Sequence, residues 1–275
     1  MKLNPPLIIA SGVGGMGEYL KLIDAKYIGA YTLKTITLLP KEGNPPPRLF
    51  ATNNYLINSI GLENIGIEAF TEKLVSGDYE EIFAKTKVIA SLGGDDPEQL
   101  TLVAQKIKPY ESLFEAIEFN FSCPNVAEGG LKLVSDQKAL KEVLKSIRKI
   151  LNGFLIAKLS IEGIFVEELS KLVNEYEWNG VTVTNTIRAL QLIDGNLFKG
   201  GISGPVLKPI SLRAVYEIKN KVADLYTIAC GGIMNEKDAD DFFKVGADAV
   251  SVGSAIYKDP EIVERIAKHI WRCGE

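Results

Sequence analysis

Short apolar runs rich in β-forming residues recur along the chain, and stretches with the period of an amphipathic helix separate most of them. This alternation predicts βα units around a parallel sheet. We expect strands at Leu7–Ser11, Ala30–Ile36, Val88–Leu92, Ala116–Ser122, Leu155–Ser160, Gly180–Asn185, Tyr226–Cys230 and Ala249–Gly253. We expect helices at Pro97–Lys108, Asp136–Ile150, Ile164–Tyr176, Ile210–Lys221, Glu236–Val245 and Pro260–Ile270.

Eight strands with helices between them, in a chain of 275 residues, predict an α/β fold of the (β/α)8 TIM-barrel type. A doubly wound open sheet is the alternative. Two connections, Leu38–Lys87 and Thr186–Pro209, are longer than a barrel requires, and Pro40–Arg48 is too rich in proline for a helix or a central strand. We therefore expect one domain, residues 1–275, with an elaborated set of loops over the C-terminal face, where barrels place their active sites.

The composition is that of a globular protein, with 46% apolar and 24% charged residues. The 31 basic and 35 acidic residues give a net charge of −4, and no block of like charge is long enough to follow a nucleic acid backbone. No apolar run approaches the ~20 residues of a membrane span, and the N-terminal residues do not form a signal peptide. We expect a cytoplasmic protein with neither nucleic acid nor membrane as partner.

Three cysteines and one histidine limit the chemistry that the chain offers. Cys123, Cys230 and Cys273 lie too far apart in sequence for a disulfide framework or a paired metal-ligand spacing, so we expect no metal. His269 lies in a charged stretch that is typical of a surface helix. Acid-base chemistry must then come from another residue type. Cys123, in a loop after the fourth strand, could act as a thiolate or proton acceptor, and an inert cysteine is the alternative.

In a barrel the C-terminal ends of the strands point into one site. In this sequence the C-terminal ends of the predicted strands carry polar residues and glycines, which packing alone would not favour. Backbone N–H groups at Gly231-Gly232 and Gly253-Ser254, which follow the last two strands, can cradle a phosphate, although glycines also serve tight turns. The strand-end residues include Ser11, Lys34, Thr35, Ser91, Asn120, Lys158, Thr184, Asn185, Thr186, Gly231, Gly232, Gly253 and Ser254.

Asparagine amides and two lysines suggest what else the site binds. An amide can pair with the alternating N–H and C=O groups of a pyrimidine dione, while capping or an Asx-turn is the alternative for each asparagine. Lys34 and Lys158 lie inside apolar strand sequence, where an unpaired ammonium is costly. Each needs an anionic partner, which is either a buried carboxylate or a ligand. The candidate asparagines are Asn58, Asn120, Asn125 and Asn185.

Several motifs match one family in combination. They are Lys34–Leu38 followed by Glu42–Arg48, then Asn58–Asn64, Asn120–Val126, Gly200–Pro205 with Lys208-Pro209, and both glycine pairs. On these motifs, which span nearly the whole chain, the protein resembles dihydroorotate dehydrogenase. The resemblance implies an FMN-dependent barrel enzyme of pyrimidine biosynthesis that oxidises (S)-dihydroorotate to orotate. A base removes the C5 proton in that family, and hydride passes from C6 to flavin N5.

The resemblance also implies roles for individual residues. The soluble class of the family uses cysteine as the base where the membrane-bound class uses serine, so Cys123 and the lack of an N-terminal membrane extension imply class 1. Lys34 would contact the substrate carboxylate and the flavin, and Lys158 would stabilise the reduced flavin. Orotate would be held by Lys34, Asn58, Ser59, Ile60, Gly61, Leu62, Asn120, Asn125, Asn185 and Thr186. FMN would be held by Ser11, Lys34, Thr35, Ser91, Asn120, Lys158, Thr184, Gly204, Gly231, Gly232, Gly253 and Ser254.

Cys123–Val126 running into Gly129-Gly130, together with Gly200–Pro205, is similar to subclass B of the family. This implies a homodimeric core joined in a heterotetramer by a second subunit, which carries FAD and a [2Fe–2S] cluster and passes electrons to NAD+. Three cysteines are too few for a cluster in this chain. Subclass A, a homodimer that uses fumarate, is the nearest alternative. Further alternatives are a dihydropyrimidine dehydrogenase-like or dihydrouridine synthase-like flavoenzyme, a non-redox phosphate-binding barrel in which Lys158 forms a Schiff base, and a non-catalytic scaffold.

Overall fold

The computed structural model of the protein describes residues 1–121, 136–162 and 165–273. The strands in these ranges are Leu7–Ile9 (β1), Ala30–Thr32 (β2), Leu49–Ala51 (β3), Leu56–Asn58 (β4), Val88–Leu92 (β5), Ala116–Asn120 (β6), Leu155–Leu159 (β7), Gly180–Val183 (β8), Ile187–Ile193 (β9), Asn196–Ser203 (β10), Tyr226–Cys230 (β11) and Ala249–Val252 (β12). Eight of them are parallel and close into a barrel, in the order β1-β12-β11-β8-β7-β6-β5-β2. The prediction of a TIM barrel is confirmed, each predicted run contributes one barrel strand, and the open-sheet alternative is wrong.

The inside of the barrel changes from apolar to polar along the strands. Side chains two residues apart on a strand point to the same face, so each strand contributes to successive layers. Ile8, Ile89 and Ile156 belong to one buried apolar cluster at the base of the barrel. On β6 and β7 the residues that follow on the inner face are Glu118 and Lys158, which are both buried. The polar layer therefore lies under the C-terminal ends of the strands.

Helices surround the barrel and begin where the sequence offers a polar cap. Asp96, Asp136 and Asn235 each accept a hydrogen bond from an amide in the first turn of the helix that follows. The helices of the described residues are Gly66–Ser76 (α1), Glu80–Lys85 (α2), Pro97–Ile107 (α3), Gln137–Ile150 (α4), Val166–Glu175 (α5), Lys208–Lys221 (α6), Glu236–Lys244 (α7), Ala255–Lys258 (α8) and Ile262–Cys273 (α9). All six predicted helices are present, with ends shifted by a few residues, and α1, α2 and α8 are additional. Among the helices of the described residues, none combines the length and the apolar character that crossing a membrane demands.

The two long connections meet in a second, antiparallel sheet of order β3-β4-β10-β9. The first connection supplies β3 and β4, and the second supplies β9 and β10, with Gly201 of β10 opposite Asn58 of β4. A side chain at Gly200 would collide with the carbonyl of Asn58, so glycine is required for the two strands to pair. The sequence pattern did not reveal this sheet. The proline-rich segment Pro40–Arg48 precedes it and forms neither helix nor strand, as predicted.

Candidate active site

A cavity of about 370 Å³ lies at the C-terminal ends of the barrel strands. Leu49, Leu56 and Ser203 of the small sheet form part of its wall, so the long connections enclose the site that the barrel begins. Most of the predicted site residues meet here, although they come from segments far apart in sequence. Those that line the cavity are Ser11, Lys34, Thr35, Asn58, Ile60, Leu62, Asn120, Lys158, Thr184, Asn185, Thr186, Gly204, Gly231, Gly232, Gly253 and Ser254.

Two lysines face this cavity. Lys158 lies on β7 and is buried, with its Nζ 3.8 Å from Oε1 of the buried Glu118. Lys34 follows β2, and its backbone N–H donates a 2.9 Å hydrogen bond to the carbonyl of Gly15, which ties the segment after β1 to the end of β2. Two cationic side chains beside one enclosed cavity favour an anionic ligand, because the surrounding protein screens charge less than water does. The buried ion pair considered as the alternative for Lys158 is present, and the same lysine also lines the cavity.

A chain of hydroxyl groups runs beneath the cavity. Ser11 Oγ lies 3.0 Å from Thr35 Oγ1, which lies 2.9 Å from Ser91 Oγ. Ser91 in turn donates to Oε1 of Glu118 at 3.4 Å, and Thr182 donates to Oε2 of the same carboxylate at 2.8 Å. Ser91 therefore links the hydroxyl of Thr35, which lines the cavity, to the buried carboxylate below it, while Ser11 Oγ donates to the carbonyl of Leu33 at 3.0 Å.

The asparagines lie close to one another rather than capping separate helices. Asn185 Nδ2 donates to Asn120 Oδ1 at 3.3 Å, and Asn185 Oδ1 accepts from the backbone N–H of Thr186 at 2.9 Å. Asn58 reaches the site from the small sheet, where its Nδ2 donates to the carbonyl of Gly201 at 3.2 Å. All three amides line the cavity, so they present donors and acceptors to one ligand-sized space.

The segment after β4 is fastened to the barrel by one buried asparagine. Asn64 Oδ1 accepts from the backbone N–H groups of Thr37 at 3.1 Å and Gly66 at 2.8 Å. Its Nδ2 donates to Thr37 Oγ1 at 2.8 Å and to the carbonyl of Leu62 at 2.7 Å. Both ends of the amide are thus fully used within the protein. The residues between Asn58 and Asn64, which form one wall of the cavity, take their position from it.

Gly232 and Gly253, which follow the last two barrel strands, differ in whether the backbone requires glycine. Gly232 has φ +85°, and a side chain there would collide with the backbone nitrogen of Lys208. Gly253 has no such restriction, because a Cβ would meet only Ala10 Cβ, at 3.6 Å. The tight-turn explanation therefore suffices for Gly232, whereas Gly253 leaves backbone open toward the cavity for a ligand to approach.

Comparison with known proteins identifies the family. The family described as dihydroorotate dehydrogenase matches residues 1–273 of the chain. The chain belongs to the dihydroorotate dehydrogenase family. The family resemblance that the motifs carried is therefore confirmed.

Relatives within the dihydroorotate dehydrogenase family cover nearly the whole chain. Proteins of Thermotoga petrophila and Thermotoga maritima, each named "Dihydroorotate dehydrogenase B (NAD(+)), catalytic subunit", are 50% identical over 271 residues, which is 98% of both chains. A protein of the same name from Caldicellulosiruptor saccharolyticus is 38% identical over 288 aligned positions, covering 100% of this chain and 93% of that one. A crystal structure of the Eimeria tenella dihydroorotate dehydrogenase with ferulenol superposes with a TM-score of 0.80 at 20% identity, covering 98% of this chain and 81% of that one, and shows the same fold.

Some residues predicted for dihydroorotate dehydrogenase chemistry do not line the cavity. Cys123 and Asn125 lie outside the described residues. Ser91 lies behind Thr35 and touches the cavity only through it. Ser59 and Gly61 belong to the segment that Asn64 fastens, where Ser59 donates its backbone N–H to the carbonyl of Arg48 at 2.8 Å. Their predicted roles stay predictions.

Several residues of the cavity and its floor were not predicted, and three of them carry a group that can ionise. Cys230 and Tyr257 line the cavity, and Glu118 lies directly beneath it beside Lys158. Glu118 could have been found, because it precedes Asn120 by two residues and therefore shares its inner face. Cys230 is the last residue of its strand, which is the position that identified the other site residues. Burial raises the pKa of the Cys230 thiol above its ordinary value, and the nearby Lys158 ammonium opposes this only in part.

A separate group of potential metal ligands lies on the outside of the barrel. His269 is on the predicted C-terminal helix, half-buried, and its Nε2 lies 2.9 and 3.0 Å from the two carboxylate oxygens of Asp240. Cys273 Sγ lies 3.7 Å from the same nitrogen. The three ligand atoms lie within 4.8 Å of one another, an arrangement that sequence spacing alone did not suggest because Asp240 comes from another helix.

Proposed function

We propose that this chain is the FMN-binding catalytic subunit of a dihydroorotate dehydrogenase, which oxidises (S)-dihydroorotate to orotate in pyrimidine biosynthesis. The observation that carries the proposal is the 50% identity over 98% of the chain to relatives named as that subunit. The cavity supports it, because cationic, amide and hydroxyl groups converge at the site where barrels perform catalysis.

The residues of the cavity fit FMN by their donor chemistry. FMN combines a phosphate, a polar chain and a ring that gains negative charge on reduction. We assign the phosphate to the backbone N–H groups around Gly231-Gly232 and Gly253-Ser254, where the open backbone at Gly253 permits close approach. The hydroxyls of Ser11 and Thr35, which Ser91 orients, and the side chain of Thr184 would bind the remaining polar groups. Lys158 would face the ring.

The substrate would occupy the part of the cavity bounded by the small sheet. Lys34 binds the carboxylate of dihydroorotate through a charge-assisted hydrogen bond, and Asn58, Asn120 and Asn185 pair with the dione edge of its ring. Cys123 takes the proton from C5. Bound FMN supplies the acceptor for the hydride that leaves C6.

We further propose that electrons leave through a partner subunit that carries FAD and a [2Fe–2S] cluster and reduces NAD+. The support is the name of the relatives, which includes both NAD(+) and the term catalytic subunit. The proposed assembly is a homodimeric core with two such partners. We place this assembly in the cytoplasm. The three cysteines of the chain are odd in number and lie far apart in sequence, which suits a reducing compartment.

The decisive experiment is a visible absorption spectrum of the purified protein, followed by anaerobic addition of dihydroorotate. We expect an oxidised-flavin band that bleaches on addition. A flavin band that does not bleach would retain the cofactor but reject the substrate, and dihydropyrimidines would be tried next. Protein that stays colourless after incubation with FMN would reject the redox function altogether.

A further inference from the structure

The described part of the barrel contains a carboxylate directly under the cavity that no proposed step uses. Glu118 lies on β6, is 4% exposed and contacts three neighbours through its two oxygens. Oε1 lies 3.8 Å from Lys158 Nζ and accepts from Ser91, while Oε2 accepts from Thr182. The three neighbours come from β5, β7 and β8, so the carboxylate holds together the floor beneath the cavity.

A buried ion pair is a costly way to fill this space. Removing two charges from water carries a large penalty, and apolar residues of similar volume often serve stability equally well. The layer below shows that alternative, since Ala116 and Ile156 occupy the same inner face of the same two strands. The polar pair is placed instead where one partner, Lys158, reaches the cavity. This placement points to a purpose in the site rather than in the core.

We propose that Glu118 is a positioning residue that fixes the Lys158 ammonium at the cavity floor and offsets part of its positive charge, and thereby sets the reduction potential of bound FMN. The inference rests on the proposed function, because it takes FMN as the group above Lys158. Thr182 and Ser91 hold the carboxylate from two sides, so its distance to the ammonium is fixed by the barrel rather than by a flexible loop. Glu118 does not line the cavity, so of these two charged groups only Lys158 can contact the ligand.

The expected effect has a definite sign. Glu118→Gln keeps the volume but removes the negative charge, so the positive charge of Lys158 is less offset at the site and favours a reduced, anionic flavin more strongly. The reduction potential of FMN bound to Glu118→Gln should therefore be higher than that of FMN bound to the wild type. A tenfold preference for reduced over oxidised FMN corresponds to about 30 mV for a two-electron couple, which a spectroscopic titration resolves. The titration uses a chemical reductant, at the same pH for both proteins.

A double-mutant cycle separates positioning from a general effect on the structure. We expect Glu118→Gln to raise the potential when Lys158 is present and to leave it unchanged in a Lys158→Met background. Asp238→Asn is the matched control, because Asp238 is also a buried carboxylate paired with a lysine, Lys208, and neither of them lines the cavity. That control should lower the unfolding midpoint without moving the potential.

The inference would be overturned by no shift in the potential with Glu118→Gln, or by the same shift with and without Lys158. If Glu118→Gln does not fold, Glu118→Asp answers the same question, since it withdraws the charge by one methylene and should raise the potential by a smaller amount. Bound FMN that dihydroorotate fails to reduce would reject the substrate assignment alone, because the titration does not use dihydroorotate. Protein that binds no FMN would overturn both proposals.

Discussion

Two cysteines, Cys123 and Cys230, are candidates for the base that removes the C5 proton. Cys230 lines the cavity, but its raised pKa leaves little thiolate at neutral pH, which makes it a poor proton acceptor. Cys123 is the residue that the family motif assigns. We expect Cys123→Ser to slow reduction of bound FMN by dihydroorotate by about 100-fold or more at pH 7, since serine ionises far above that pH. Stopped-flow absorbance of the flavin band measures this rate.

Cys230→Ser is the matched control for that experiment. It changes the same atom type within the cavity, and we expect the rate of flavin reduction to stay within a few-fold of wild type. Raising the pH should increase the rate of Cys123→Ser more steeply than that of Cys230→Ser, because a serine hydroxyl ionises at much higher pH than a cysteine thiol. If dihydroorotate reduced bound FMN rapidly in Cys123→Ser and slowly in Cys230→Ser, Cys230 rather than Cys123 would be the base.

Single residues at strand ends were predictable because a barrel brings those ends together. Lys34, Asn120 and Lys158 needed only the positions of three apolar runs and the rule that active sites lie at the C-terminal face. Glu118 was overlooked because it lies one layer deeper, where a single charged residue inside an apolar run gives no sign of its partners. Its contacts with Thr182 and Lys158 come from two other strands, and only the register between strands brings them together.

At the scale of elements, the wall of the cavity between Asn58 and Asn64 depends on one side chain. Asn64→Ala would leave the buried N–H groups of Thr37 and Gly66 without their acceptor, at roughly 1–3 kcal/mol for each in the free energy of unfolding. We also expect dihydroorotate to bind more weakly, on the order of tenfold, because the wall loses its anchor. Chemical denaturation and the KM for dihydroorotate measure the two effects.

Asn54→Ala provides the control for this element. Asn54 is exposed between β3 and β4, so its removal should change neither stability nor KM. If Asn64→Ala lowered stability and left KM unchanged, the segment would hold its shape without the amide, and its contribution to substrate binding would have to be abandoned.

The glycine pairs allow the turn and the ligand to be tested separately. Gly253→Ala adds a methyl group that meets no atom of the described residues closer than 3.6 Å, so we expect the free energy of unfolding of the FMN-free protein to stay within about 0.5 kcal/mol of wild type. The same methyl would stand between the backbone and a phosphate, and FMN should bind at least about tenfold more weakly. Fluorescence titration with FMN gives the dissociation constant.

Gly232→Ala is the contrasting variant. An alanine at this position would have a strained positive φ and its Cβ would collide with the backbone of Lys208, so the FMN-free protein should be destabilised by about 1–3 kcal/mol. If Gly253→Ala bound FMN as tightly as the wild type, Gly253 would not be needed for phosphate binding and its role would be structural only.

The small sheet is the element that the sequence could not predict. Its four short strands come from two connections, and β4 pairs with β10 although roughly 140 residues separate them in sequence, so no local periodicity marks the pairing. The hint available was indirect: Gly200-Gly201 within an otherwise strand-like stretch indicates a close backbone approach. Most barrel strands, by contrast, are buried on both faces and give continuous apolar runs that are visible without knowledge of their neighbours.

At the scale of the whole molecule, stability and binding are divided along the barrel axis. The apolar layer at the base and the shell under the helices bury the large side chains, and the polar layer above them carries the charges of Glu118 and Lys158. The division explains why the fold could be predicted from apolar periodicity and the site from the polar residues that interrupt it. The route by which electrons leave cannot be predicted in this way, because it depends on the surface that contacts a partner and not on the pattern of apolar residues.

That route gives the last prediction. The chain has three cysteines, whereas a [2Fe–2S] cluster requires four thiolate ligands or a histidine pair in place of two of them, and there is one histidine. The purified chain with FMN should therefore be reduced by dihydroorotate, stay reduced when NAD+ is added, and be reoxidised by an artificial dye. Co-purification with a subunit that carries FAD and an iron–sulfur cluster should restore NADH formation. Reoxidation of the isolated chain by fumarate would instead assign it to subclass A, and direct reduction of NAD+ by the isolated chain would contradict the need for a partner, because the electrons would then pass from FMN to nicotinamide without any second cofactor.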